Sequence, residues 1–166
     1  MDDVLSFPVS LKNLDAEFVN PFLTALHGTL STLGNQVASK GGLSLTEIDC
    51  LESDTIILLR IDGSVLGAVI ISMDETTTLR IASTFLRGIP VDSIDEMVKS
   101  SLEEFSIRVS EKAKLQLINK GYLTNVHYEI IYGTQVCLAA KTPFLRVPFS
   151  TQHGTMEVLV NLVKER

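Results

Sequence analysis

The stretch TIILLRIDGSVLGAVIISM, residues 55–73, decides the fold class of the chain. Its two halves, residues 55–61 and 65–73, are dense in β-branched and apolar residues, which is typical of buried strands. Asp62 and Gly63 lie between them, and Asp-Gly is among the most favourable two-residue turns between antiparallel strands. The stretch therefore predicts a β-hairpin, around which the rest of the sequence can be placed.

The residues on the N-terminal side of the hairpin predict a helix followed by a strand. Residues 43–51 alternate moderately between apolar and polar side chains, as a half-buried strand does. Asn20 followed by Pro21 is a strong helix start, because Asn caps with its side chain and Pro suits the first helical position. We expect this first helix to end near Gly41 and Gly42. Its apolar stripe consists of Phe22, Leu26, Leu30, Leu33 and Val37.

Two more helices and three strands are predicted on the C-terminal side of the hairpin. Asp74 is placed to cap a second helix of residues 75–86, which ends before Gly88. A third, unusually long helix is predicted from about residue 92 to Gly121. Its core stripe consists of Ile94, Val98, Leu102, Phe105, Val109, Ala113 and Leu117. The strands are residues 125–131, 143–150 and 156–163, the last two joined by a hairpin around His153 and Gly154.

The order of these elements predicts an α+β fold in one domain, residues 1–166. We expect two layers, namely a six-stranded antiparallel sheet covered on one face by two long helices. Each half of the chain, residues 16–88 and 92–164, contains helix and strands in the order helix-βββ. The fold is therefore expected to be a pseudo-duplication.

Charge and composition exclude several classes of function. The net charge is −6, and no basic cluster is denser than Lys112 and Lys114. Nucleic-acid binding requires several basic side chains on one surface. Residues 1–10 are acidic and do not resemble a signal peptide, and no apolar run approaches the ~20 residues of a membrane helix. The sequence therefore predicts a cytoplasmic protein that binds neither nucleic acid nor membrane.

Cysteine and histidine usage predicts no metal site. Cys50 and Cys137 lie in apolar, strand-like stretches, so we expect both to be reduced residues of the core. His27, His127 and His153 lie far apart, with no spacing that is typical of metal ligands.

The outward face of the third helix carries the candidate functional residues. At 100° per residue, Ile107 lies about 200° from Phe105 and so falls among polar side chains, and Ile118 lies on the same line three turns later. Apolar residues on such a face are either exposed by chance or in contact with a loop, a partner or a second copy. The polar residues of this face are Ser100, Glu103, Glu104, Glu111 and Lys114.

Two patches of the sequence resemble the CheX/CheC family of chemotaxis phosphatases. Residues 103–122, EEFSIRVSEKAKLQLINKGY, are similar to the long helix of that family, and residues 18–22, FVNPF, are similar to the start of CheX. The family helix carries the motif Glu-x-x-Asn. When the two helices are aligned on the Lys-Gly-Tyr ending, Glu104 takes the position of the Glu and Ile107 takes that of the Asn.

The resemblance implies a partner, a reaction and an oligomeric state. Members of the family hydrolyse the phospho-aspartate of CheY-type response regulators; the Asn amide orients the attacking water, and the Glu pairs with a lysine of the regulator. This chain is therefore expected to bind a receiver domain, to form a homodimer and to need no cofactor of its own, since any Mg²⁺ belongs to the receiver. The expected catalytic position is Glu104, and the expected partner-binding residues are Glu103, Ile107, Glu111, Lys114 and Ile118.

Ile107 departs from the family pattern, which leaves several readings open. Isoleucine has no hydrogen-bonding group to hold a water, and phosphoryl transfer depends on positioning, so the resemblance implies lost or strongly reduced phosphatase activity. Glu103 with Ser106 has the same spacing as the motif, and His27 of the first helix is another group that can hold a water. The remaining alternative is a non-enzymatic dimerisation or assembly module in bacterial signalling, in which Ile107 and Ile118 contact a second copy or another signalling protein.

Overall fold

The computed structural model of the protein describes residues 3–5, 16–32 and 39–165. Its helices are α1 (Val19–Thr32), α2 (Glu75–Phe85) and α3 (Glu96–Asn119), and a 3-10 turn at Ala16–Phe18 precedes α1. The strands are β1 (Asp3–Leu5), β2 (Ser39–Lys40), β3 (Ser44–Gly63), β4 (Val65–Met73), β5 (Thr124–Thr151) and β6 (Gly154–Lys164).

The predicted hairpin is confirmed as β3 and β4. The strands pair in antiparallel register, from Thr55 opposite Met73 to Ile61 opposite Gly67. Residues 62–66 therefore connect the last paired positions, so the turn is longer than the predicted two-residue turn. Gly63 adopts a φ of 104°, which favours glycine, and a Cβ at this position would lie 2.5 Å from the carbonyl oxygen of Leu123. The turn therefore requires the glycine that the sequence supplies. The second predicted hairpin is also confirmed, since β5 and β6 meet at Thr151 and Gly154.

The α+β class and the antiparallel arrangement of the long strands are confirmed, but the predicted division into six similar strands is wrong. Residues 43–51 and 55–61 belong to one strand, β3, and residues 125–131 and 143–150 both belong to β5. These strands stay continuous because they pair with each other along their length, from Ser44 opposite Arg146 to Gly63 opposite Thr124. Within the described residues, two short strands complete the sheet: β1, which pairs with β5 in parallel, and β2.

Both faces of the sheet are covered. The larger hydrophobic cluster lies between the sheet and the helices. There Ile57, Leu59 and Ile71 of the sheet pack with apolar residues of α1 and α3. Successive residues of a strand point to opposite faces of a sheet, so Ile56 and Leu58 lie on the face opposite the helices, which we call the second face. It is covered by a β-ribbon, which we define as residues 44–53 of β3 paired with residues 134–146 of β5. The second-face cluster contains Ile56, Leu58, Ala68, Ile70 and Leu159 of the sheet, with Ile48, Leu51, Val136, Leu138 and Phe144 of the β-ribbon.

The ends of the first helix differ from the prediction. α1 begins at Val19 rather than after Asn20, because the 3-10 turn leads directly into it and Asn20 lies within its first turn. The predicted stripe residues Leu33 and Val37 lie outside the described residues. Ser39 and Lys40 form β2, so the helix does not extend to Lys40.

The second and third helices follow the prediction more closely. Asp74 caps α2 by accepting a hydrogen bond of 2.8 Å from the Thr77 N–H, and this bond lowers the pKa of the Asp74 carboxyl. α3 begins later than predicted, at Glu96, because Asp95 provides the cap by accepting from the Val98 N–H. The predicted stripe of α3 from residue 98 to residue 117 is buried, which confirms its orientation.

The prediction of two reduced core cysteines is wrong. Cys50 and Cys137 lie opposite each other in the β3–β5 register, with 4.0 Å between their Cα atoms, and form a disulfide. Cys50 is exposed and Cys137 is half-buried, so neither belongs to the core. The two residues are 87 positions apart, and such a pairing depends on strand register, which their spacing does not reveal.

None of the helices in the described ranges is long and apolar enough to cross a membrane. The division of residues 1–166 into helix-βββ halves remains a prediction.

Candidate functional site

The candidate site is the outward face of α3, which is defined by the packing of the opposite side of the helix. Val98, Leu102 and Phe105 are fully buried against the sheet and α2, so the residues half a turn away point outward. The predicted partner-binding and catalytic residues all lie at the surface on this face. Glu103, Glu104 and Glu111 are exposed, and Ile107, Lys114 and Ile118 are half-buried.

Glu104 is held by a chain of contacts that begins in the core. Its Oε1 accepts a hydrogen bond of 3.0 Å from Nε of Arg108, one helical turn later. The Arg108 guanidinium lies over the ring of Phe85 in α2, 5.5 Å from the ring centroid. Phe85 in turn makes an edge-to-face contact of 5.8 Å with the buried ring of Phe105. The position of the Glu104 carboxylate is therefore linked to the packing between α2 and α3.

The Glu104–Arg108 ion pair is weak enough for a cation of a partner to replace Arg108 at Glu104. Both side chains are more than two-fifths exposed, and an exposed i,i+4 pair contributes only about 0.3–0.5 kcal/mol. A cation from another molecule can therefore compete for Glu104 at little cost. Arg108 was not among the residues predicted from the sequence, although the Glu-to-Arg spacing of four residues indicates this pair.

Ile107 lies beside this pair and contributes no polar atom. It is half-buried and does not belong to the hydrophobic core clusters of the described residues, so its side chain remains at the surface of α3. The larger apolar exposures on α3 are elsewhere: Met97 is 50% exposed and Leu115 is 60% exposed. Both lie on the Glu104 side of the outward face and were not predicted from the sequence.

Charged side chains surround Tyr132 beneath the N-terminal half of α3. Tyr132 of β5 packs beneath the helix, and the Nζ of Lys99 lies 5.3 Å from its ring centroid. Burial raises the pKa of Tyr132 to about 12, with further contributions from the carboxylates of Glu103 and Glu96. This end of the outward face therefore carries charges of both signs near one ring, since Lys99 lies beside the same tyrosine as the two carboxylates.

The two alternative water-holding groups differ in their accessibility. Ser106 is 1% exposed and its hydroxyl donates a hydrogen bond of 2.8 Å to the carbonyl oxygen of Leu102, so it cannot act on a bound partner. His27 is exposed on α1, with its Nδ1 3.4 Å from the Ser31 hydroxyl. The reading that pairs Glu103 with Ser106 is therefore not supported, whereas His27 stays available to solvent.

The described residues offer no metal-binding cluster. In residues 3–5, 16–32 and 39–165, no group of three or more His, Cys, Asp or Glu side chains is placed to hold a metal ion. The exposed Asp62 carboxylate contacts the Nε2 of His127 at 3.2 Å and the Asn125 side-chain amide at 3.1 Å. This group lies at the β3–β5 end of the sheet and does not include a residue of α3.

The similarity of the chain to known proteins is structural. The sequence matches no protein-family model and no curated protein. Its structure is similar to the chemotaxis protein CheX from Desulfovibrio desulfuricans, with a TM-score of 0.76 and 21% identity, covering 90% of this chain and 99% of that one. It is also similar to a CheC-like superfamily protein from Shewanella sp. PV-4, with a TM-score of 0.76, 27% identity and coverages of 92% and 100%.

The chain therefore has the fold of the CheX/CheC-like chemotaxis proteins, and the resemblance noted in the sequence is confirmed at this level. A third similar structure is CheX from Borrelia burgdorferi in a complex with CheY, BeF3 and Mg²⁺. Its TM-score is 0.70 at 25% identity, and the match covers 89% of this chain and 98% of that one. The assignment of Glu104 and Ile107 to the family motif remains a prediction.

Proposed function

We propose that this protein is a CheX-like signalling protein that binds the receiver domain of a CheY-type response regulator through the outward face of α3. The observation that carries this proposal is the structural similarity to CheX proteins, one of which was solved in complex with CheY. Glu103, Ile107, Glu111, Lys114 and Ile118 are the proposed contact residues. The cytoplasm, where two-component signalling takes place, is the proposed location.

The chemistry of the α3 face supports such a contact. Met97 and Leu115 supply exposed apolar area, and Ile107 lies between them along the helix. Charged side chains of both signs flank them, including Glu103, Glu111 and Lys114. Glu104 can exchange Arg108 for a cation of the partner at little cost. Apolar anchors inside a charged rim are typical of transient protein interfaces.

We further propose that phosphatase activity is lost or strongly reduced. Hydrolysis of a phospho-aspartate requires a water held in line with the phosphorus, and the side chain at position 107 has no donor or acceptor to hold it. Any Mg²⁺ in the complex is expected to belong to the receiver. The protein is therefore proposed to act on its regulator by binding.

Ile107→Asp is expected to weaken receiver binding by about 1–3 kcal/mol, because it places a charge at the centre of an apolar contact. Isothermal titration calorimetry with CheY-type receiver domains, each activated with beryllofluoride and Mg²⁺, measures the loss. The domain should remain folded, since Ile107 is at the surface of α3.

Leu45→Asp is the matched control for this substitution. Leu45 is 55% exposed in the β-ribbon and lies away from α3, so the same kind of change should leave receiver binding unaltered. Equal losses in the two variants, or no loss in Ile107→Asp while the wild type binds, would contradict the proposed docking face.

A second candidate function, a dimerisation or assembly module, is favoured by the free edge of the sheet. Residues 124–132 of β5 pair with β3 on one side and with no strand of the described residues on the other. An open edge of this kind presents backbone N–H and C=O groups to a second chain. In this reading the apolar residues of α3 would contact a second copy or another signalling protein.

We expect the protein to be a homodimer under either reading. Light scattering at micromolar concentration should give a mass twice the 18.2 kDa of the chain. A monomer at micromolar concentration would refute the homodimer and leave, for the second function, only contact with another signalling protein.

A further inference from the structure

We propose that Cys50 and Cys137 form a reversible disulfide that holds the β-ribbon on the second face of the sheet, and that a dithiol reductant releases it. This makes the pair a site of redox modification on the protein. The proposal concerns the sheet face opposite α3 and does not depend on regulator binding.

The position of the pair within the sheet is the first argument. Cys50 and Cys137 are directly opposite each other in the β-ribbon, so a bond between their sulfur atoms links β3 to β5 covalently. Immediately beyond this point the register shifts: Ile48 pairs with Thr142, so the two strands lose regular pairing between the two positions. The disulfide therefore lies at the place where backbone hydrogen bonding within the β-ribbon is interrupted.

The apolar contacts next to the pair are the second argument. Leu51 and Val136 occupy the next paired position, and both pack with the second-face cluster. Leu138 follows Cys137 directly and belongs to the same cluster. A bond that fixes these two strands together also fixes the side chains that cover Ile56 and Leu58.

The accessibility of the sulfur atoms is the third argument. Cys50 is exposed and Cys137 is half-buried, so a small thiol can reach the bond without unfolding the core. Disulfide exchange requires such access to one of the two sulfur atoms. A structural disulfide enclosed in a core would resist the same reagent.

The proposed reaction is ordinary thiol–disulfide exchange. A thiolate of the reductant attacks Sγ of Cys50, the S–S bond breaks, and Cys137 leaves as a thiolate that takes up a proton. The first step leaves the reductant joined to Cys50 in a mixed disulfide. The second thiol of the reductant then attacks the reductant sulfur of this bond and releases the Cys50 thiol. Two electrons and two protons pass to the protein, and the reductant becomes a disulfide.

The size of the closed loop makes the effect measurable. The bond joins residues 87 positions apart and encloses β4, α2 and α3, so it restricts a large part of the unfolded chain. A loop of this length corresponds to a fall in melting temperature of about 5–15 °C on reduction. Reduction should also accelerate amide hydrogen exchange in residues 44–52 and 136–146 while leaving α3 unchanged.

The test compares the wild-type protein, oxidised with glutathione disulfide or reduced with dithiothreitol, with the double variant Cys50→Ser/Cys137→Ser. We expect iodoacetamide to modify both cysteines only after reduction. The oxidised wild type should run as a single chain on a non-reducing gel. The reduced wild type and the double variant should melt alike, and dithiothreitol should not change the variant. Thiols that remain alkylatable after oxidation, a bond between two copies, or equal melting temperatures of the oxidised and reduced wild type would overturn the proposal.

Discussion

Ile107→Asn is expected to shorten the lifetime of a phosphorylated receiver domain by about 10- to 100-fold. The amide would stand one turn from the Glu104 carboxylate, at the edge of α3 proposed to meet the receiver, and can hold a water as both donor and acceptor. A single well-placed hydrogen-bonding group contributes about 10²–10³-fold to such reactions. We place the gain at or below the low end of this range, because holding the water also orders the newly introduced side chain, which costs about 0.5–1.5 kcal/mol. Loss of radiolabelled phosphate from the receiver measures the effect.

Two controls separate a new catalytic group from a general change at the surface. Ile107→Ala removes the apolar side chain without adding an amide, and Ile118→Asn adds an amide three turns away on the same face. Neither should change the phosphoryl lifetime. In the Ile107→Asn background, Glu104→Ala should remove most of the gain, because the carboxylate is needed to pair with the receiver. An Ile107→Asn protein that still binds the receiver but leaves the lifetime unchanged would count against the family mechanism in this chain.

Local periodicity was sufficient to predict those helices and strands whose buried residues follow a single repeat. The α3 stripe was correct from Val98 to Leu117, because these residues pack on one side of the helix and a repeat of 3.6 residues describes them. The first predicted stripe residue, Ile94, precedes the helix and is half-buried. The hairpin was correct because two apolar β-branched segments flank a turn that requires glycine at position 63, although the connection is longer than two residues. In both cases the deciding information lies within a few residues of sequence.

Features that depend on pairing between strands far apart in the sequence could not be predicted from local periodicity. β5 continues through Gly133, which adopts a φ of 58°, and a local pattern interprets such a residue as a break. The strand persists because β3 supplies hydrogen-bond partners on both sides of this point. The disulfide was missed for the same reason, since Cys50 and Cys137 meet only through the β3–β5 register.

The candidate site was predictable in outline but not in detail. Helical geometry placed Glu104 and Ile107 on the outward face, because that placement needs only the angle per residue. The exposure of Leu115 and the burial of Ser106 depend on how the neighbouring elements pack against the flanks of α3. Such packing is a property of the assembled fold, so the angle alone does not show which flank residues are accessible.

Gly67→Ala is expected to destabilise the protein by about 3–5 kcal/mol. Gly67 has a φ of 134°, and it lies opposite Leu162 where β4 pairs with β6. An added Cβ would overlap the carbonyl oxygen of Asn161 and lie 2.9 Å from its carbonyl carbon. Backbone on a paired strand cannot move aside as the end of a flexible side chain can. Urea denaturation of the wild type and the variant measures the difference.

The contacts of Asn161 explain why β6 cannot shift at little cost to make room for the added Cβ. Asn161 is fully buried, and its side-chain amide donates a hydrogen bond of 2.8 Å to the carbonyl oxygen of Pro143. Moving β6 away from residue 67 would therefore also disturb the link between β6 and β5. Gly42→Ala is the matched control, because no atom lies within 4 Å of its added Cβ and its φ lies outside the left-handed region. It should change stability by less than about 0.5 kcal/mol, and a Gly67→Ala protein equally close to the wild type would show that β4 and β6 do not approach each other as described.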